Sequence, residues 1–128
     1  MKLLVSLISA PDDPPLYTDE YQNQLEKLQK SLTDEGLEFE PSVRILMSKE
    51  GGMYFLGDFW INIIPTLGPL LGAIVGAWLH GRYGRKVRLK ILETEIEAEA
   101  QTVEEVEKLL ERAVEIQQRI KPKVIHEL

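Results

Sequence analysis

A chain of 128 residues, 44% of them apolar and 28% charged, has the length of one domain spanning residues 1–128 and the composition of a globular protein. It contains no cysteine, which excludes disulfides, thiolate nucleophiles and thiolate metal sites and is typical of a reducing compartment, so we predict a cytoplasmic protein. The formal net charge of −6 is unfavourable for a dedicated nucleic-acid-binding protein.

The first third of the chain predicts a strand, a helix and a second strand. The apolar run at 1–9 is too short and too weakly basic for a signal peptide and is typical of a strand buried on both faces. Residues 18–35 predict a helix, because apolar side chains recur on one face and Gly36 accepts the left-handed conformation that ends helices. These apolar side chains are Tyr21, Leu25, Leu28 and Leu32. After Pro41, residues 42–47 predict a second strand.

The middle of the chain predicts an apolar helix over residues 60–82, with glycine at every fourth position along part of it. The glycines are Gly68, Gly72 and Gly76, and they allow a sheet or a sister helix to approach closely. Pro65 places the start of regular helix near Thr66, because proline suits only the beginning of a helix.

Residues 85–100 predict a β-hairpin, because apolar and charged residues alternate along both arms. A two-residue turn at Glu93-Thr94 sets Arg88 opposite Glu99, so that opposite charges share the exposed face. The same register pairs Lys90 with Glu97, Leu89 with Ala98 and Ile91 with Ile96.

The last helix is predicted over residues 103–120, which carry an apolar face. Thr102 and Glu105 form a capping box at its start, and Pro122 ends it. The predicted order is β-α-β-α-β-β-α, which indicates an α/β (α+β) fold with helices packed on a small mixed sheet.

The apolar middle segment also supports a different interpretation, a membrane span. Residues 59–79 contain no charged side chain and have about the length that crosses the ~30 Å hydrocarbon core of a bilayer. The alternative function is therefore a small inner-membrane protein, an anchor or a membrane-disrupting effector, with residues 59–80 in the bilayer. We favour a buried helix, since a start near Thr66 leaves only about 14 apolar residues, or roughly 21 Å.

No residue pattern identifies a catalytic, metal or cofactor site. His80 and His126 are the only histidines of the sequence, and neither has a second ligand at a metal-binding spacing. The glycines within residues 76–86 lead into a strand and lack the Walker A arrangement, and no Gly-x-Ser-x-Gly elbow occurs. The many glutamates of residues 93–115 are expected to be solvated or paired with the basic residues of the hairpin. We therefore predict a protein that is not an enzyme and that uses no cofactor.

A basic cluster follows the middle helix, with five basic residues in the nine positions 82–90. Arg82, Arg85 and Lys86 are the candidates for contact with phosphate, in nucleic acid or in an acidic lipid headgroup. The acidic net charge and the cross-strand glutamates argue against a nucleic-acid partner.

Aromatic residues cluster just before the middle helix. They suit either a core or a protein contact, because Tyr and Trp dominate interface hot spots. We predict a protein interface that combines these aromatic residues with the glycine-spaced helix. Its residues are Phe59, Trp60, Gly68, Gly72, Gly76 and Trp78.

The segment 55–115 resembles the effector-associated constant component family of bacterial conflict systems. The similarity lies in an apolar Gly/Ala/Leu helix ending in AWLHGR, the strand GRKVRLKI, a short acidic strand and the segment TVEEVEKLLERA. Trp78, Leu79 and Arg82 match the family's Trp-Leu-x-x-Arg helix end. The chain differs from the family pattern in its APDDPP loop and its long C-terminal helix.

The resemblance implies a non-enzymatic accessory or adaptor subunit of a bacterial defence system, since members of that family are thought to be non-enzymatic components encoded beside varied effectors. The implied partner is an effector protein encoded nearby, peptidase-like or nucleotide-dependent, in a homo-oligomer or a hetero-complex. The matching motif is a packing pattern without a catalytic signature, so it predicts association rather than chemistry.

Overall fold

The computed structural model describes residues 2–41, 46–47, 53–54, 56–91 and 97–126. The fold is α+β, as the sequence predicts. The strands are β1 (Lys2–Ile8), β2 (Phe39–Pro41), β3 (Leu46–Met47), β4 (Met53–Tyr54), β5 (Asp58–Asn62), β6 (Lys86–Ile91) and β7 (Glu97–Ala100). The helices are α1 (Asp19–Asp34), α2 (Leu67–His80) and α3 (Val103–His126).

The main sheet has five strands in the order β2-β5-β1-β6-β7, and each neighbouring pair is antiparallel. The sequence predicted a mixed sheet, and the structure shows that the main sheet is antiparallel. β5 and β6 run in the same direction, but β1 lies between them, so α2 provides a crossover without placing parallel strands side by side. β3 and β4 form a separate antiparallel pair.

The hydrophobic core lies on one face of the main sheet. Leu3, Val5 and Leu7 of β1 are at most 6% exposed and belong to one cluster with the buried residues of α1, α2 and α3. Leu4 and Ile8, on the other face of β1, are partly exposed. The prediction that both faces of this strand are buried was therefore wrong, because the helices pack together on a single side.

Residues 60–82 do not form one helix, which corrects the sequence interpretation. Residues 60–62 belong to the strand β5. The helix α2 begins at Leu67 after the N-cap Thr66, where the prolines predicted that it would start. Aromatic and β-branched residues favour the strand, and Pro65 lacks the backbone donor that a continuous helix needs. Residues 59–80 thus contain a strand and a helix of 14 residues. Among the described residues, no helix has both the length and the apolar character to cross a membrane.

α1 ends as predicted, at a glycine in the left-handed conformation. The φ angle of Gly36 is +75°. The Gly36 amide donates to the Thr33 carbonyl at 3.0 Å, and the Leu37 amide donates to the Leu32 carbonyl at 2.9 Å, which is a Schellman motif. A residue with a Cβ, other than asparagine or aspartate, would be strained at this φ by about 1–2 kcal/mol.

α3 begins at the predicted N-cap Thr102, but only one of the two bonds of the predicted capping box forms, because the Glu105 carboxylate accepts from the Gln101 amide and not from the Thr102 amide. The Glu105 amide donates to Thr102 Oγ1 at 3.2 Å, and the Glu105 carboxylate accepts from the Gln101 amide at 3.0 Å. The helix continues to His126, so Pro122 does not end it as predicted. A proline removes only one backbone donor, and little helix remains beyond this position.

β6 and β7 pair in the register that the sequence predicts. The observed pairs are Arg88 with Glu99, Leu89 with Ala98 and Lys90 with Glu97. Opposite charges therefore share one face and apolar residues share the other. This arrangement specifies the register, because a shift by one residue would exchange the two faces.

Three predicted features lie wholly or partly outside the described residues. They are the Ile91–Ile96 pair, the turn at Glu93-Thr94 and residues 42–45 of the strand predicted over 42–47.

Candidate functional site

The face of the main sheet opposite the helices, here named the outer face, is covered by no helix of the described chain. Every second residue of each strand is directed to this side, as the pleat requires. The side chains of the outer face are Lys2, Leu4, Ser6, Ile8, Glu40, Asp58, Trp60, Asn62, Lys86, Arg88, Lys90, Glu97 and Glu99.

Apolar residues occupy two positions of the central strand β1 on the outer face, one on each side of Ser6. Leu4 and Trp60 are cross-strand partners, and Ile8 lies further along β1. All three side chains are partly exposed. On the flanking strands Lys90 lies beside Leu4, and Glu40 lies beside Trp60. The result is an apolar strip, interrupted at Ser6 and bordered by charged residues, and protein–protein interfaces show a similar organisation of apolar centre and polar rim.

One charged border of the strip is partly neutralised within the sheet. Arg88 Nε lies 3.2 Å from Glu97 Oε1, and Arg88 Nη2 lies 2.6 Å from Glu99 Oε1. The hydrogen bond from Arg88 lowers the pKa of Glu99, and the same bond raises the pKa of Arg88. Lys86 and Lys90 flank Arg88 along β6, and neither has a carboxylate of a described residue within 4.0 Å.

A concavity of about 230 Å³ lies at the edge of the sheet where β2, β5 and β1 meet, and Lys2, Glu40, Trp60 and Asn62 of the outer face contribute to its lining. We name it the Trp60 pocket. It is lined by Lys2, Glu38, Phe39, Glu40, Trp60, Ile61 and Asn62. The Phe39 ring packs edge-on against the buried Phe59 ring, with 5.8 Å between the centroids, and this contact holds β2 against the sheet.

A buried ion pair joins the loop after β1 to the loop before β6. The side chains of Asp13 and Arg85 are 1% and 2% exposed. Arg85 Nη2 and Nε donate to the two carboxylate oxygens of Asp13 at 2.7 and 3.1 Å. Arg85 Nη1 donates to the Trp78 carbonyl at 2.8 Å, and the guanidinium lies 4.8 Å from the Trp78 ring centroid. Gln24 accepts a further hydrogen bond from Arg85.

Asp13 is held in its ionised form. Burial raises its pKa, but hydrogen bonds from Arg85 and from the Ala10 amide outweigh the burial, so the pKa of Asp13 lies below its ordinary value. The Ala10 amide is 2.6 Å from one carboxylate oxygen, and Arg82 Nε is 3.1 Å from the other. This carboxylate is fully engaged in joining the loops and is not a free acid or base.

The three basic residues predicted to contact phosphate do not form one basic surface. Arg85 is buried and forms an ion pair with Asp13. Arg82 pairs with Asp12 as well as with Asp13. Lys86 lies on the outer face. The aspartates of the APDDPP loop therefore neutralise both arginines, which removes the positive potential that phosphate binding needs.

The aromatic residues of the predicted interface lie in different layers. Phe59 is fully buried on the helix side of β5, and Trp78 is 5% exposed and stacked on Arg85. The Trp78 indole Nε1 has no hydrogen-bond partner among the described residues. Trp60 points to the outer face, so it is the aromatic residue of this set that remains accessible to a partner.

The glycine stripe of α2 packs on α3 of the same chain. Gly68, Gly72 and Gly76 face Leu110, Glu107 and Val103, respectively. A Cβ on Gly72 would lie 2.8 Å from Glu107 Cγ, and a Cβ on Gly76 would overlap the Val103 side chain. The predicted close approach is therefore internal, and another protein would reach these glycines only by displacing α3.

Sequence reasoning missed Leu4, Ile8 and Asp13. The run at 2–8 is apolar at nearly every position, so no alternation shows which face the helices leave open. Asp13 stands in a proline-rich loop 72 residues from Arg85, and no local pattern connects the two.

The described residues place no metal site at His80. His80 is exposed at the end of α2, and the side chain of His126 is not described. In the described ranges, no group of three or more His, Cys, Asp or Glu side chains is placed to hold a metal ion. Comparisons with protein-family models, with curated proteins and with solved structures found no match. Function is therefore inferred from the residues and their geometry.

Proposed function

We propose that this chain is a non-enzymatic adaptor subunit that binds an effector protein of a bacterial defence system through its outer face. The observation that carries the binding mode is the apolar strip of Leu4, Ile8 and Trp60, which no described helix covers, in a sheet whose other face carries the helices. The resemblance of residues 55–115 to effector-associated constant components supports the defence-system setting.

The charge of the outer face favours a protein partner over a phosphate-bearing one. Its side chains include four basic and four acidic residues, so the face has no excess of positive charge. Nucleic acids and acidic membranes need such an excess. A mixed-charge rim around an apolar centre matches a protein surface.

The two lysines of β6 on the outer face, Lys86 and Lys90, indicate what the effector presents. Lys86 and Lys90 border the apolar strip without a described carboxylate within 4.0 Å. A complementary surface therefore has apolar side chains over Leu4 and Ile8, with carboxylates opposite the lysines.

Ser6→Arg tests this proposal by obstructing the outer face. Ser6 is partly exposed and lies between Asp58 and Arg88 across the strands, so an arginine there extends from the sheet without entering the core. The tagged chain is co-expressed with each effector encoded beside its gene, and the complex is isolated. Glu26→Arg, on an exposed position of α1, is the control.

We expect an effector to co-purify with the wild type and with Glu26→Arg but not with Ser6→Arg. Circular dichroism and thermal melting establish that both variants fold. Equal retention of the effector by the two variants would refute the outer face as the docking surface. Failure of every neighbouring effector to bind the wild type would refute the adaptor role.

A further inference from the structure

The Trp60 pocket combines an aromatic wall with carboxylates. Trp60 is partly exposed, and Glu40 is its direct partner across β2 and β5. Cross-strand partners have Cβ atoms about 4.5–5.5 Å apart, so the Glu40 carboxylate lies within reach of anything placed on the indole. Glu38, two residues earlier in the chain, also lines the pocket and is exposed.

We propose that the Trp60 pocket binds a cationic side chain, an arginine or a lysine, that the partner protein inserts. This inference rests on the proposed function, since it names a group carried by the effector. The face of an indole attracts cations, and exposed carboxylates form charge-assisted hydrogen bonds with them. The volume of about 230 Å³ is smaller than a typical pocket for a drug-sized ligand and suits one side chain.

The lining of the pocket includes one basic side chain, Lys2, which offsets part of the negative charge of the glutamates. Lys2 lines the pocket together with Glu38 and Glu40, so the described lining residues carry one negative charge in excess. The net charge of −6 on the whole chain also draws a basic partner towards it. The pocket thus favours cations despite Lys2, and removal of the Lys2 charge increases this preference.

Arginine fits the pocket better than lysine. A planar guanidinium stacks on the indole of Trp60 and at the same time donates two parallel hydrogen bonds to a carboxylate such as that of Glu40. An apolar side chain would instead desolvate the two glutamates without compensating them. An acidic side chain would be repelled by them.

A small cationic probe tests the pocket directly. N-acetyl-arginine amide is titrated into the full-length protein, and amide and indole N–H shifts are followed by NMR. N-acetyl-citrulline amide has a similar planar shape without the charge and serves as the neutral comparison. We expect millimolar binding, with shifts at the Trp60 indole and at residues 38–40 and 60–62. The buried Trp78 indole is the internal reference and should not shift.

Charge-neutral variants separate the pocket from general charge effects. The Glu38→Gln/Glu40→Gln double variant should bind the arginine probe at least about fivefold more weakly than the wild type. Glu26→Gln/Glu111→Gln changes the net charge equally at exposed helix positions and should bind as the wild type does. Lys2→Gln should bind the probe more tightly.

The outcomes separate the pocket from the docking surface. Equal binding of citrulline and arginine, or unchanged binding by the Glu38→Gln/Glu40→Gln variant, would overturn the cationic pocket. Loss of the effector from Ser6→Arg in that case would still support the outer face. There is also a third outcome: the arginine probe binds in a way that depends on the two glutamates, but the Ser6→Arg variant keeps its effector. That result would support the cationic pocket and refute the outer face as the docking surface.

Discussion

Arg85 and Asp13, 72 residues apart in the chain, form a buried two-point ion pair at the end of the central strands. β1 and β6 are neighbours, and Ile8 is paired with Lys86 next to this ion pair. The pair therefore fixes the loop that leaves β1 against the loop that enters β6. It supports the two strands that carry the centre and the basic border of the outer face.

Asp13→Asn should destabilise the protein strongly. The substitution leaves the Arg85 guanidinium buried without a counter-charge, and loss of one partner of such a pair costs about 3–5 kcal/mol. Urea unfolding measures the change in the free energy of unfolding. Asp12→Asn is the matched control, because Asp12 is 73% exposed and such surface pairs contribute about 0–1 kcal/mol. Equal effects of the two substitutions would show that the buried pair does not stabilise the fold.

The pH dependence of stability should reveal the lowered pKa of Asp13. The folded state binds a proton at Asp13 less readily than the unfolded state, whose Asp pKa is near 3.8. The stabilising contribution is thus complete at neutral pH and is lost as the pH falls below 3.8 and through the folded-state pKa.

The stability difference between the wild type and Asp13→Asn is therefore expected to shrink on acidification. Urea unfolding of both proteins at about pH 7 and about pH 3 measures this difference, and other carboxylates cancel in the comparison. A difference that stays constant across this range would contradict an ionised, hydrogen-bonded Asp13.

The three glycines facing α3 should differ in their tolerance of a Cβ. Gly68→Ala meets only Leu110 Cβ at 3.8 Å and should stabilise α2, by up to about 1 kcal/mol, through helix propensity. Gly76→Ala overlaps the stiff, β-branched Val103 and should destabilise the protein by about 1–2 kcal/mol despite the same propensity gain. Gly72→Ala meets the flexible Glu107 side chain and should lie between them. Thermal melting orders the series.

A second substitution tests the cause of the Gly76 effect. Val103→Ala removes the methyl groups that a Cβ on Gly76 would overlap. The Gly76→Ala/Val103→Ala double variant should therefore be more stable than the sum of the two single effects, by about 1 kcal/mol. If the effects of the two substitutions on stability are simply additive, then Gly76 and Val103 are less closely packed than the structure shows.

Two glycines with positive φ should respond differently to asparagine, a residue that tolerates this conformation. Gly36 has no atom within 4 Å of an added Cβ, so Gly36→Asn should cost less than about 1 kcal/mol. An added Cβ on Gly84, at φ +96°, would lie 3.3 Å from Ala10 Cβ, beside the loop that Asp13 anchors. Gly84→Asn should therefore cost about 2 kcal/mol or more. Equal costs by urea unfolding would argue against this loop contact.

Much of the local structure could be predicted from neighbouring residues. The start of α2 after Thr66 followed from the restriction that proline places on helices. The opposite charges of β6 and β7 predicted the pairing of Arg88 with Glu99. The strand at Trp60 could not be separated from the following helix, because a short apolar run fits a strand and a buried helix equally well.

The candidate site was predicted only in part. Trp60 was identified as a contact residue, and it lies on the outer face. Phe59, its neighbour in β5, is directed into the core, because successive side chains of a strand point to opposite sides. Periodicity alone could not decide which of the two would face the helices.

The sequence by itself determined features that depend on residues a few positions apart. Gly36 ends α1, Thr102 begins α3, and alternating charges set the register of β6 against β7, because caps and hairpin faces are local interactions. Only the tertiary structure decided that α3 covers the glycines of α2, that no described helix covers one face of β1 and that Asp13 meets Arg85. Those contacts join distant parts of the chain, and the order of the strands and the packing of the helices on one side bring them together.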